Sequence, residues 1–132
     1  MADSPGTITL SGEVKLWVYD RNKCFRLPIG DDVAIGLVKW SSNKIVNCSA
    51  DDTGAAGWAL EPGTIGTDNA VLVCLDFVAI FEMKYTGTPS DQIGTNIGIA
   101  DYETADFGET VYTMLQVLDY DTELGTVLCK AK

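Results

Sequence analysis

The sequence predicts an all-β fold, a small antiparallel barrel or sandwich with little or no helix, and three observations carry that prediction. Apolar and polar residues alternate in short runs, as where Val14, Leu16 and Val18 interleave with Lys15, Trp17 and Tyr19, which is the period of a half-buried strand. Clusters of Gly, Pro, Asn, Asp and Ser punctuate these runs at short intervals. No window combines apolar positions at helical spacing with a capping signal.

Taken in order, the first strand runs through Val14–Tyr19 and stops at the polar turn Asp20-Arg21-Asn22-Lys23. Phe25 to Ile29 is the second strand, and Gly30-Asp31-Asp32 turns the chain into a third near Ala34 to Trp40. Ser41-Ser42-Asn43-Lys44 then closes a hairpin onto Ile45 to Ser49. A small polar stretch, Asp51 to Gly57, leads to a short strand at Trp58 to Leu60 that Glu61-Pro62-Gly63 ends. The longest apolar segment, Ala70 to Phe81, is rich in β-branched and aromatic residues. Further strands fall at Asn96 to Ala100, Val111 to Tyr120 and Thr126 to Lys130, the last two joined through Asp121 to Gly125. Many short strands at this spacing indicate a closed or two-layered β structure.

The Ala70–Phe81 segment is apolar on both faces, so something must shield the face that Leu72, Cys74, Val78 and Ile80 present. Two accounts compete. The segment bends at Asp76 into two core strands of a small closed barrel, or its second face is covered by another subunit. Trp17 and Tyr19, which alternation places on the outward face of the first strand, are interface-anchor residue types. The candidate partner-binding residues are therefore Trp17, Tyr19, Leu72, Val78 and Ile80.

A length of 132 residues, with 46% hydrophobic and 21% charged, fits one domain with its own core. Residues 13–132 form that β domain and 1–12 an extended N-terminal arm. Nineteen acidic against nine basic residues give a net charge of −10, which disfavours nucleic acid as a partner. The acidic excess lies beyond residue 44; the first 44 residues hold six basic and five acidic groups. That division suggests an acidic face turned outward from an assembly, with the near-neutral part docked. There is no histidine, which removes Ser-His-Asp and Cys-His catalysis and the common zinc sites. Met1–Gly6 has neither a basic nor an apolar leader pattern, and no run is long and apolar enough to span a membrane, so no membrane partner is expected. Cys24, Cys48, Cys74 and Cys129 form no Cys-x-x-Cys pair and read as reduced thiols, the last three among apolar neighbours.

Other motifs weaken on inspection. Ser41-x-x-Lys44 matches a serine acyl-enzyme pattern that requires a helix, but it lies between two strands. Asp119, Asp121 and Glu123 begin like a calcium loop, yet Leu124 stands where glycine is required and Lys130 where the bidentate glutamate belongs. Asn47-Cys48-Ser49 spells a glycosylation acceptor. Paired carboxylates for glycoside hydrolysis are a matter of abundance alone. The expectation is a non-enzyme with no catalytic residue, no metal and no cofactor.

A resemblance supplements this reading. Val38-Lys39-Trp40, Lys44-Ile45-Val46-Asn47, Ala50-Asp51-Asp52-Thr53-Gly54-Ala55-Ala56-Gly57-Trp58-Ala59-Leu60-Glu61 and Ala70-Val71-Leu72-Val73, followed by Phe81 to Thr88, Gly94 to Ile99, Leu115 to Asp119 and Thr126 to Lys130, resemble the capsid cement (head decoration) proteins of tailed bacteriophages. The resemblance covers roughly residues 33 to 130. It implies a β-tulip-like module, a homotrimer on the outer surface of the virion, assembled in the host cytoplasm, that clamps neighbouring major capsid protein subunits and has no active site. The rival is a carbohydrate-binding β-sandwich in which Trp17, Trp40 or Trp58 stacks on sugar rings; a hydrolase with paired carboxylates stands behind both.

Overall fold

A computed structural model of the protein describes residues 8–9, 15–76 and 78–132, with side chains from Tyr19 onward. The described residues form twelve strands: β1 (Ile8–Thr9), β2 (Lys15–Val18), β3 (Cys24–Pro28), β4 (Gly36–Ser41), β5 (Lys44–Asn47), β6 (Gly57–Ala59), β7 (Ala70–Cys74), β8 (Ile80–Thr86), β9 (Asn96–Asp101), β10 (Thr104–Asp106), β11 (Leu115–Asp121) and β12 (Thr126–Ala131). Among the described residues the sole helical element is a 3-10 turn at Arg21–Lys23. Asp20 caps it by accepting a hydrogen bond from the Asn22 N–H at 2.9 Å. The all-β reading holds.

The strands divide between two sheets. In the first, β8, β10, β9, β11 and β12 pair in that order and β12 returns to β8, which closes a five-stranded barrel. The β8–β10 pair is parallel and the others are antiparallel. One edge of β8 is shared end to end, β2 pairing with Ile80–Glu82 and β10 with Lys84–Thr86. Met83, Ile97, Leu115, Val117, Val127 and Cys129 fill the interior without solvent exposure, and Phe107 meets Tyr85 and Tyr120 edge-on with centroids at 4.9 and 5.6 Å. Edge-to-face geometry matches the positive rim of one ring to the negative face of the next.

The second sheet runs β3-β7-β6-β4-β5. Its outer edges meet where Ile29 bridges Ile45 and the Gly30 N–H donates to the Ile45 carbonyl at 3.0 Å. The sheet therefore rolls around a small core of Ile29, Val33, Val38, Ile45, Ala59, Val71 and Val73. Its opposite face contributes Leu37, Trp58 and Cys74 to the larger core shared with the closed barrel. Two backbone contacts tie the layers: the Leu37 N–H donates to the Tyr102 carbonyl at 2.9 Å, and Ser49 bridges Asp101. Gly57 is required where β6 and β7 meet, because a Cβ there would run into the Cys74 carbonyl.

The long apolar segment is divided between the two sheets. β7 ends at Cys74, the chain turns through Asp76, and β8 begins at Ile80 in the other sheet. Val71 and Val73 enter the small core while Cys74, Ala79 and Phe81 enter the large one. The segment thus breaks at Asp76 as expected, but into strands of two different sheets and not of one barrel; on its second face Cys74 is buried, Leu72 and Ile80 are half-buried and Val78 is exposed.

Alternation fails at one predicted anchor. The β2–β8 register pairs Leu16 with Phe81 but Val18 with Ile80, so Trp17 is the extra residue of a β-bulge. An inserted residue reverses the faces of everything after it. Tyr19 consequently lies in the large core, 8% exposed, and not on the outward face.

Candidate functional site: an apolar hollow at the open end of the rolled sheet

β4 leads Val38 and Trp40 along the face that lines the small core. Val38 is fully buried, but Trp40, opposite Ile45, passes the end of the covering loops and stays 50% exposed. On the edge strand, Phe25 stands opposite Val73 on that same face and is 47% exposed. The β4–β5 hairpin turns on Ser42 and Asn43, both at positive φ (51° and 65°), the tight two-residue turn whose twist suits paired strands. Ser41 and Lys44 are simply its closing pair, which disposes of the serine–lysine motif.

A shallow hollow lies beside the indole, lined by Lys39, Trp40, Gly54, Ala55, Ala56 and Leu75. Small side chains keep its floor low, and beyond the Cα of Gly54 the space is open. At its rim the Lys39 ammonium pairs with the Asp52 carboxylate at 2.9 Å, and Asp52 also accepts the Ser49 N–H at 2.8 Å. Partial burial acts to raise the Asp52 carboxyl pKa, but the Ser49 N–H and Lys39 outweigh it and hold the group below its ordinary value. A planar or aliphatic group could stack on Trp40 here with a fixed cation alongside. What the hollow offers a ligand is apolar contact area beside the Lys39–Asp52 ion pair.

The lowered Asp52 pKa fixes the sign of a pH effect. Stability from this carboxylate is present above its unfolded value and is lost as pH falls through the folded one. Asp52→Asn is expected to lower stability at pH 7 by about 0.5–1 kcal/mol, with a narrower gap to the unaltered protein at about pH 3, because this contribution is lost as the pH falls below the unfolded value and through the lowered folded one. Urea midpoints at the two pH values check this; a gap that widens in acid contradicts it.

The sequence-predicted partner residues are dispersed. Leu72 is half-buried on β7 opposite Arg26, Val78 projects from the β7–β8 turn at 66% exposure, and Ile80 is half-buried at the start of β8. Tyr19 is interior, and the side chain of Trp17 lies outside the described residues. Of the tryptophans considered for sugar stacking, Trp58 is corrected to a core residue, 2% exposed, leaving Trp40 with an accessible ring. Phe25, Lys39 and Leu75 were not anticipated. The signal that could have found the hollow is the run Gly54-Ala55-Ala56-Gly57, too small to cover a neighbouring tryptophan.

The remaining motifs resolve as structure. Asp121 accepts the Glu123 and Leu124 N–H groups at 2.9 and 3.1 Å, which makes it a turn residue. The Asn47 side chain accepts the Ala34 N–H at 2.8 Å and donates to the carbonyls of Ala34 and Leu37. Among the described residues no group of three or more potential metal-ligating side chains assembles, and no helix is long and apolar enough to cross a membrane. No family model, curated protein or solved structure matches the chain.

Proposed function

We propose that the chain is a structural, non-enzymatic decoration protein of a bacteriophage head. It binds the outer capsid surface through the open end of its rolled sheet and works as a homotrimer that braces contacts between major capsid subunits. The observation that carries this reading is the half-exposed Trp40 beside a hollow floored with small residues, on a rigid two-layered frame. A large aromatic held against a preformed concavity is an interface hot spot that loses little entropy on binding. Charge supports the same orientation: β8 to β12 and their connections, residues 80–132, carry nine acidic and three basic residues, whereas Lys39 and Lys44 flank Trp40. A trimer would convert modest single contacts into firm retention, since each contact raises the effective concentration of the next.

The test is uptake by capsids that lack the protein. The unaltered chain should co-sediment with them and raise their melting temperature, and Trp40→Ala should weaken retention by roughly 30-fold or more, the scale of a hot-spot aromatic, with unchanged stability of the free protein. Failure of the unaltered chain to bind at saturating dose sinks the proposal. The same exposed indole favours one second reading, stacking on a sugar ring. Glycan binding abolished by Trp40→Ala, without capsid uptake, would select it.

A further inference from the structure

Cys24 and Cys74 sit opposite each other in the antiparallel β3–β7 register. The Leu75 N–H donates to the Lys23 carbonyl at 2.8 Å, one step outside this pair, so Cys24 and Cys74 occupy a non-hydrogen-bonded position of the ladder. Residues in such positions have Cα atoms about 4.5 Å apart and side chains on a common face, within the roughly 4.4–6.8 Å that a disulfide accepts. The Cys24 Sγ donates to the Asp20 carbonyl at 3.8 Å. Cys24 is partly open to solvent and Cys74 is buried. The other two cysteines are buried elsewhere; the Cys129 Sγ donates to the Phe81 carbonyl at 3.7 Å, and Cys48 lies next to β5 in the large core.

We infer that Cys24 and Cys74 are a redox couple, a dithiol that a low-molecular-weight disulfide such as oxidised glutathione converts into a cross-strand disulfide stapling β3 to β7. The solvent-facing Cys24 reacts first. Its thiolate attacks one sulfur of the external disulfide, forming a mixed disulfide and expelling one thiolate, which takes up the proton that Cys24 gave to water. The Cys74 thiolate then attacks the Cys24 Sγ, breaking the mixed bond and expelling the second external thiolate, which is protonated in turn. The protein loses two protons and two electrons, and the external disulfide is reduced to two thiols. Burial raises both thiols, Cys74 to about 12; the Asp20 and Asp76 carboxylates add to the rise at Cys24, and Arg21 opposes it. Exchange is therefore slow at pH 7 and faster toward pH 9.

The staple acts on the candidate docking edge. β3 is an edge strand, held along its length by β7 and at its end by the Ile29 bridge. Phe25 and Leu75, the residues that follow the two cysteines, point to the opposite face from the thiols, toward the rolled interior and its open end. A covalent bond between their neighbours fixes both.

The experiment treats the full chain with oxidised glutathione at about pH 8–9, where the ionised fraction of each thiol is larger than at about pH 7, followed by intact mass and peptide mapping. The expected product has lost two hydrogens, yields linked peptides containing Cys24 and Cys74, melts about 10 °C higher and reverts with dithiothreitol. Cys24→Ser should abolish the crosslink and the shift, while Cys129→Ser and Cys48→Ser should keep both. A native protein that retains four titratable thiols under conditions that oxidise its urea-unfolded chain overturns the inference. So does a crosslink through Cys48 or Cys129.

Discussion

Trp58→Ala is expected to cost about 3–5 kcal/mol of folding stability, the range for truncating a buried tryptophan, and to lower the melting temperature by about 15 °C for a domain of this size. Trp58 projects from β6 of the rolled sheet, is 2% exposed, and lies 4.5 Å centroid to centroid from Phe81 of the closed barrel, their rings tilted by 37°. It is the largest side chain joining the two layers, so removing it opens a cavity where they meet. The indole Nε1–H has no hydrogen-bond partner among the described residues. A buried donor without an acceptor carries an unrecovered desolvation cost of about 1–3 kcal/mol. Trp58→Phe should therefore be mild, within about 1.5 kcal/mol of the unaltered protein, because the lost ring volume is offset by the removal of that donor. Urea unfolding of both variants decides the point: a phenylalanine variant as damaged as the alanine one would show that the N–H is satisfied after all.

The contrast between Trp58 and Trp40 shows what the residues reveal unaided and what they do not. Both lie in alternating segments, and nothing local distinguishes an indole under a second sheet from one beyond the covering loops. The distinction comes from pairing: Trp58 faces Leu37 and Cys74 on the side that meets the closed barrel, while Trp40 shares the other face with Ile45. Most strands, the β4–β5 hairpin and the break at Asp76 were legible because period, turn residues and a charge inside an apolar run are local signals. Bulges are not local. Trp17 and Leu118 are extra residues relative to β8 and β12, and each reverses the faces downstream. Past Leu118 the bulge lets Tyr120 turn toward Phe107, and past Trp17 it turns Tyr19 inward. β10, three residues between β9 and β8, carries too short a pattern to register at all. The hollow beside Trp40 was hidden for the same reason, since it joins the end of β4, a loop and the residue after β7.

Asp76→Ala should be the second severe substitution, costing about 2–4 kcal/mol, because it would leave two part-buried backbone donors without their acceptor at the crossing between the sheets. The carboxylate is nearly inaccessible, yet it is fully employed. Oδ2 accepts the Asp20 N–H at 2.8 Å and Oδ1 accepts the Val78 N–H at 3.1 Å. The Lys23 ammonium stands 3.9 Å from Oδ1 with more than half of its side chain in water, so it offsets part of the charge without being buried itself. These contacts join the end of β2, the 3-10 turn and the start of β8 at the place where the chain passes between sheets. Asp76→Asn keeps the shape and one acceptor oxygen but loses the charge, and places an amide where a second acceptor is needed. Its expected cost is intermediate, about 1–2 kcal/mol, in line with the lesser strength of neutral hydrogen bonds. Lys23→Ala should cost well under 1 kcal/mol, as a solvated partner does. Chemical denaturation of the three variants orders them, and a Lys23 effect equal to that of Asp76→Ala would mean that the ion pair, and not the backbone N–H groups, holds the bend.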